Sequence, residues 1–184
     1  MSKTFSIAPS PFKRSSSLET TLAYMGSNMS LFAKGEETGG RFALMEFHSR
    51  PGNEPPPHIH EWEHELYYLL AGRMEFYCDG EILNVGRGEV AFLPQGKAHA
   101  FYIRSPMVRT LISVQATDER PVGLDRYFMG MGEPAASMDL PDHQATHVMS
   151  DPAHAIRVAA AHGIRILSPE ETRELLPHYP GFGI

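Results

Sequence analysis

Cysteine is all but missing from this 184-residue chain: Cys78 stands alone. That excludes an intrachain disulfide framework and agrees with a reducing compartment. No stretch is long and apolar enough to span a membrane. The opening residues, MSKTFSIAPSPFKRSSS, hold no apolar core of signal-peptide length. Positive charge is in deficit, with 16 Lys and Arg against 22 Asp and Glu and a formal net charge of −6. There is no basic cluster either, which argues against nucleic acid and anionic membranes as partners. No internal repeat is visible. The expectation is a soluble cytoplasmic protein of one domain with an extension, long enough to bury a sizeable core.

What the chain does have is many short β-like runs. After a Ser- and Pro-rich arm over residues 1–20, apolar or alternating runs fall at 21–26, 29–34, 41–48, 57–60, 65–71, 73–78, 81–85, 90–93, 98–104 and 107–115. Gly-, Asp- and Pro-containing turn signals separate them. Asp79-Gly80 between two such runs reads as a tight hairpin. Short strands at this spacing predict an all-β sandwich or barrel over residues 21–118. Residues 119–184 then change texture. Leu124, Tyr127, Phe128 and Met131 recur at helical spacing. Asp151-Pro152 opens an Ala-rich segment that Gly163 closes. Ser168-Pro169-Glu170-Glu171 forms a capping box before a short helix ended by Pro177, and residues 164–167 read as a short strand. This mainly helical extension is expected to pack on the barrel or on a partner subunit.

The chemistry is concentrated in two stretches, PGNEPPPHIHEWEHELYYLLAG and GEVAFLPQGKAHAFYI. Side chains two apart on a strand share a face, so His58 and His60 point the same way and can grip one ion. Glu65 has the opposite parity, so a bend through residues 61–63 must re-aim it. With His99, this gives three imidazoles and one carboxylate, a donor set suited to a divalent first-row transition ion (iron, manganese, nickel, cobalt, copper or zinc). It is unlike the all-oxygen cages of calcium or magnesium. His64 adjoins Glu65 and faces away by alternation. His48, His143, His147, His154, His162 and His178 lack ligand spacing and read as surface or packing residues.

These stretches resemble the two motifs of the cupin superfamily. The first, G-x5-H-x-H-x(3,4)-E-x6-G, is matched by Gly52, His58, His60, Glu65 and Gly72. The second, G-x5-P-x-G-x2-H-x3-N, is matched by Gly88, Pro94, Gly96 and His99, with Ile103 where the pattern has Asn. Ile103 leaves the ligands intact, because Asn is not a ligand in the family. The resemblance covers about residues 40–115 and implies a jelly-roll barrel, a double-stranded β-helix. It implies one divalent metal held by His58, His60, Glu65 and His99.

Strand parity assigns the pocket walls. If Glu65 points inward, so do Tyr67 and Leu69. If His99 does, so do Phe101 and Ile103. Phe92, two before Pro94, is expected to join them. No inward cation can be placed beside the ligands; Arg109 and Arg41 are the candidates. Such a site suits a flat, largely apolar ligand with a few oxygens. The single cupin unit and helical tail are similar to the quercetin 2,3-dioxygenase-like cupins, which implies a dioxygenase acting on a flavonol-like or enediol-like molecule. Glu65 would be both ligand and general base. The alternatives are an oxygen-independent isomerase, epimerase or decarboxylase, and a non-enzymatic small-molecule-binding module. A homodimer is expected, since an open sheet edge is usually paired or masked.

Overall fold

The computed structural model describes residues 9–140 and 151–181, so residues 1–8 of the expected arm, and His143 and His147, lie outside the described residues. Ten strands come first: β1 (Thr21–Tyr24), β2 (Ser27–Ala33), β3 (Phe42–Ser49), β4 (His58–His60), β5 (Glu63–Ala71), β6 (Arg73–Cys78), β7 (Glu81–Gly86), β8 (Val90–Leu93), β9 (Ala98–Ile103) and β10 (Val108–Ala116). Then follow α1 (Leu124–Met131), β11 (Glu133–Pro134), α2 (Pro152–Ala161), β12 (Ile164–Ile166) and α3 (Pro169–Leu175).

The strands form two antiparallel sheets. One has seven strands in the order β11-β1-β2-β3-β10-β5-β8, and the other has five in the order β12-β4-β9-β6-β7. This is the all-β jelly roll with short C-terminal helices. Local chemistry explains the turns and caps. Asp79 and Gly80 both adopt positive φ (52° and 82°), the twist that a two-residue hairpin between β6 and β7 requires. Asp151 accepts a hydrogen bond from the His154 amide to cap α2, and Ser168 accepts one from Glu171 to cap α3. Gly72, which ends β5, has φ 86°, and a Cβ there would stand 2.4 Å from the Met107 carbonyl oxygen. Only glycine fits that left-handed, crowded corner.

The core lies between the sheets. Phe76, with no exposure, packs its ring 4.9 Å from Tyr67 and 5.6 Å from Phe101. A second apolar cluster covers the outer face of the smaller sheet, where Ile59, Tyr77 and Ala98 pack against Leu167, Leu176 and Tyr179. Ile59 is thus pinned outward, and alternation turns its neighbours His58 and His60 inward. The segment after β10 enters both sheets: β11 pairs with β1 and β12 pairs with β4. Among the described residues, no helix is long and apolar enough to cross a membrane.

Candidate metal centre

The two sheets contribute differently to one site. His58 and His60 lie on β4, and His99 lies directly across from His58 on β9. Glu65 comes from β5 in the facing sheet. The chain therefore changes sheets between residues 60 and 63, and that crossing re-aims Glu65 toward the imidazoles despite its opposite parity. The four residues are each at most 6% exposed. One donor atom from each lies within 4.8 Å of all the others.

Hydrogen bonding sets which imidazole nitrogen faces the centre. His58 Nδ1 lies 2.8 Å from the Pro56 carbonyl oxygen, His99 Nδ1 is 3.1 Å from that of Lys97, and His60 Nδ1 is 2.8 Å from Glu63 Oε1. Each partner is an acceptor, so each Nδ1 carries the proton and each Nε2 presents its lone pair inward. The Nε2 atoms of His58 and His99 are 3.1 Å apart. Glu65 Oε2 is 3.3 Å from His99 Nε2 and 3.7 Å from His60 Nε2. His60 Nε2 and Glu65 Oε2 are buried without a hydrogen-bond partner. Acceptor atoms crowded this closely in a dry interior repel one another unless a cation sits among them. The residues therefore fit a divalent metal ion, and the N3O donor set suits a first-row transition ion.

The charges agree. Burial, helped by the neighbouring imidazoles His99 and His60, holds the His58 imidazole well below its ordinary range, so it is neutral. Burial pushes the Glu65 carboxyl up, but His60 and His99 outweigh it and bring it down to about 2, so it is ionised. For His60, burial pulls down, while the Glu65 and Glu63 carboxylates prevail and raise it.

A cavity of about 50 Å³, counted as room for the centres of water molecules, opens beside His58 and Glu65. Tyr67 and Phe101 line it as parity predicts. Burial and the adjacent Glu65 carboxylate hold the Tyr67 hydroxyl well above its usual range, so it keeps its proton. Three expected wall residues are elsewhere. Phe92 pairs with Leu66 and not with Glu65, which puts its ring on the outer face, 49% exposed and against His64. Leu69 and Ile103 point inward but lie further along their strands and are packed in the core, away from the cavity. Arg109 and Arg41 are also outside it: Arg109 pairs with Glu46 at 2.6 Å, and Arg41 bonds the Asp118 carbonyl oxygen. Among the described residues, no Lys or Arg lines the cavity.

The remaining walls were not foreseen. Leu124, Tyr127 and Phe128 of α1 close one side, and Tyr24 of β1 meets Tyr127 with their hydroxyl oxygens 2.7 Å apart. Glu63 was also missed, although it shares the parity of Glu65 and is 1% exposed.

Comparison with known proteins agrees with this geometry. The cupin domain family matches residues 45–114, which include all four clustered residues. A quercetin 2,3-dioxygenase of Bacillus subtilis (strain 168) is 30% identical over 79 residues, 43% of this chain and 23% of its own. An oxalate-binding protein of Thermotoga maritima is 36% identical over 50 residues, 27% of this chain and 41% of its own. The matches thus span less than half the length of either relative. A crystal structure of a Thermotoga maritima protein, described as a predicted oxalate decarboxylase, superposes with a TM-score of 0.46 at 23% identity, covering 49% of this chain and 80% of that one. The two motifs, the two-sheet barrel and the family match coincide on one segment, so residues 45–114 carry a cupin domain.

Proposed function

We propose that this chain is a metal-dependent dioxygenase acting on a small, flat molecule with adjacent oxygens, of the enediol or aromatic diol type. The observation that carries the reading is the position of Glu65. It is an ionised carboxylate with one unpartnered oxygen, set between three imidazole nitrogens and a cavity walled by aromatic rings. His58, His60, His99 and Glu65 would hold the ion, which when bound supplies Lewis acidity and, if redox-active, electrons for dioxygen chemistry. Glu65 Oε2 takes the proton of the substrate hydroxyl, leaving the oxygen anionic. Tyr67, kept protonated beside Glu65, donates a hydrogen bond as that charge develops. Phe101 and Phe128 exclude water, and the paired hydroxyls of Tyr24 and Tyr127 offer the far end of the substrate a donor and an acceptor. The 30% identity to a quercetin dioxygenase supports this class. We further take the active form to be a cytoplasmic homodimer, which sedimentation and cell fractionation test.

The size of the cavity favours a second reading. About 50 Å³ is a third of the roughly 150 Å³ that accepts benzene in an engineered core. A flavonol is far larger than this cavity, whereas a small hydroxy acid or enediol is nearer its size. Such a substrate also suits an oxygen-independent isomerase, epimerase or decarboxylase. A non-catalytic binding role has a counterpart in the similarity to an oxalate-binding protein. Elemental analysis of the purified protein beside Glu65→Gln and His99→Ala comes first, with one transition ion per chain expected in the parent and less in His99→Ala. Oxygen uptake is then measured with flavonols, catechols and small enediols. Turnover under strict anaerobiosis refutes the dioxygenase. Ligand-linked stabilisation without turnover supports the binding role.

A further inference from the structure

Glu63 is fully inside the protein yet outside the set of atoms that face the centre. Three donors converge on its carboxylate. Oε1 accepts from His60 Nδ1 at 2.8 Å and from the Leu124 amide at 3.2 Å, while Oε2 accepts from the Gly123 amide at 2.7 Å. Gly123 and Leu124 are the N-cap and first residue of α1, the helix whose Leu124, Tyr127 and Phe128 wall the cavity. One buried carboxylate therefore joins a clustered imidazole to the helix that covers the pocket. We propose that Glu63 is a positioning residue: it fixes His60 in the form that presents Nε2 to a metal ion, and it locks that form to the seating of α1.

The chemistry requires a carboxylate. Both of its oxygens only accept, so three N–H groups can share it without conflict. An amide of the same shape has one accepting oxygen. With its NH2 at the Oε1 position, it would donate to His60 Nδ1 and drive the imidazole proton onto Nε2, the nitrogen that must stay bare. With its NH2 at the Oε2 position, it would confront the Gly123 N–H and push the start of α1 away. Partners behind a ligating imidazole fix its tautomer and ring orientation, and their loss typically lowers metal affinity about 10–100-fold. Here the partner also carries a negative charge close to the site. A divalent ion held by Glu65, with Glu63 behind His60, is neutralised overall, which favours retention of the ion in a dry interior. The arrangement also links metal and pocket: anything that displaces α1 removes two of the three donors that hold Glu63 against His60.

This inference rests on reading the four-residue cluster as a metal centre, and the test separates the two. Full-length protein stripped with a chelator is titrated with zinc, and the imidazole nitrogens are followed by 15N NMR, for the parent, Glu63→Gln and Asp125→Ala. Asp125 anchors α1 from another side, its Oδ2 accepting from the Gly35 amide at 2.8 Å, and it does not touch His60. The expected result is parent zinc binding with a protonated His60 Nδ1. Glu63→Gln should bind about 10–100-fold more weakly and show a shifted or lost His60 Nδ1–H signal, while Asp125→Ala keeps the parent affinity. The proposal is overturned if Glu63→Gln binds zinc within twofold of the parent with the His60 signal unmoved. It is equally overturned if Asp125→Ala weakens binding as much while its His60 Nδ1–H signal stays unmoved, since binding would then depend on the helix and not on the form of the imidazole. Should Glu63→Gln fail to fold, the zinc-loaded parent decides alone, because a His60 Nδ1 without its proton refutes the assignment. If the parent binds no zinc, manganese, iron, cobalt, nickel or copper, the metal reading itself falls, and this one with it.

Discussion

Removing the metal should destabilise the fold by an amount the structure bounds. His60 Nε2 and Glu65 Oε2 are buried polar atoms with no hydrogen-bond partner. A buried unsatisfied group costs about 1–3 kcal/mol, so the empty cluster carries a penalty of about 2–6 kcal/mol that a bound cation relieves. The gain seen in practice depends on ion concentration. At free ion 100-fold above Kd it is about 2.7 kcal/mol. In a chain of this size each kcal/mol corresponds to about 2–4 °C in Tm. Chelator-stripped protein, scanned by differential calorimetry with and without each first-row divalent ion, should therefore gain about 5–11 °C with the ion it binds. His99→Ala removes one nitrogen donor and should abolish the gain. A rise below about 1 °C with every ion, or an equal rise in His99→Ala, would refute the argument from the partnerless atoms.

Other outcomes follow from the same structure. Gly163 has φ +75°, and a Cβ there would lie 2.3 Å from the Trp62 ring; Gly163→Ala should cost about 2–3 kcal/mol in urea unfolding. It should also weaken metal binding, because β12 starts at the next residue and pairs with β4. Arg14 holds Glu37 by two hydrogen bonds of 2.7 Å and, ahead of the opposing effect of partial burial, brings its carboxyl down to about 2. That stability is present above the unfolded pKa of about 4.5 and is lost as pH falls toward 2. Arg14→Ala should therefore cost about 1–2 kcal/mol at pH 7, and the gap to the parent should close between pH 4.5 and 2. A gap that does not change with pH would show that the ion pair contributes nothing. Phe101→Ala, at 2% exposure, should lose about 3–5 kcal/mol, whereas Phe92→Ser on the outer face should stay within about 0.5 kcal/mol; paired chemical denaturation curves distinguish them.

The wall assignments show where strand parity succeeds and where it stops. Parity placed Tyr67 and Phe101 in the cavity because both lie within two residues of a clustered residue on a continuous strand. It turned Leu69 and Ile103 inward correctly but gave no depth, and both sit past the end of the cavity. Phe92 failed for a different reason. The register Glu65↔Leu93 makes Leu93 the inward residue of β8, and no pattern within four residues of one strand reveals its partner's register. Glu63 was within reach, since it shares a face with Glu65 and a buried acid at a strand start needs donors. The donors that explain it come from Gly123 and Leu124, sixty residues away in sequence.

The sequence by itself singled out the four residues that cluster, the strand boundaries to within two or three residues, the Asp79-Gly80 hairpin and the caps of α2 and α3. All of these depend on neighbours close along the chain, through alternation, φ preference or side-chain hydrogen bonds to nearby amides. Tertiary structure alone decided that β4 and β5 belong to opposite sheets, so that a carboxylate of the wrong parity meets three imidazoles. It also decided that α1 closes the cavity, and that a carboxylate behind His60 receives the amides of that helix. Those outcomes depend on how sheets and helices dock, which is set by burial summed over the whole core and by contacts that no local spacing encodes.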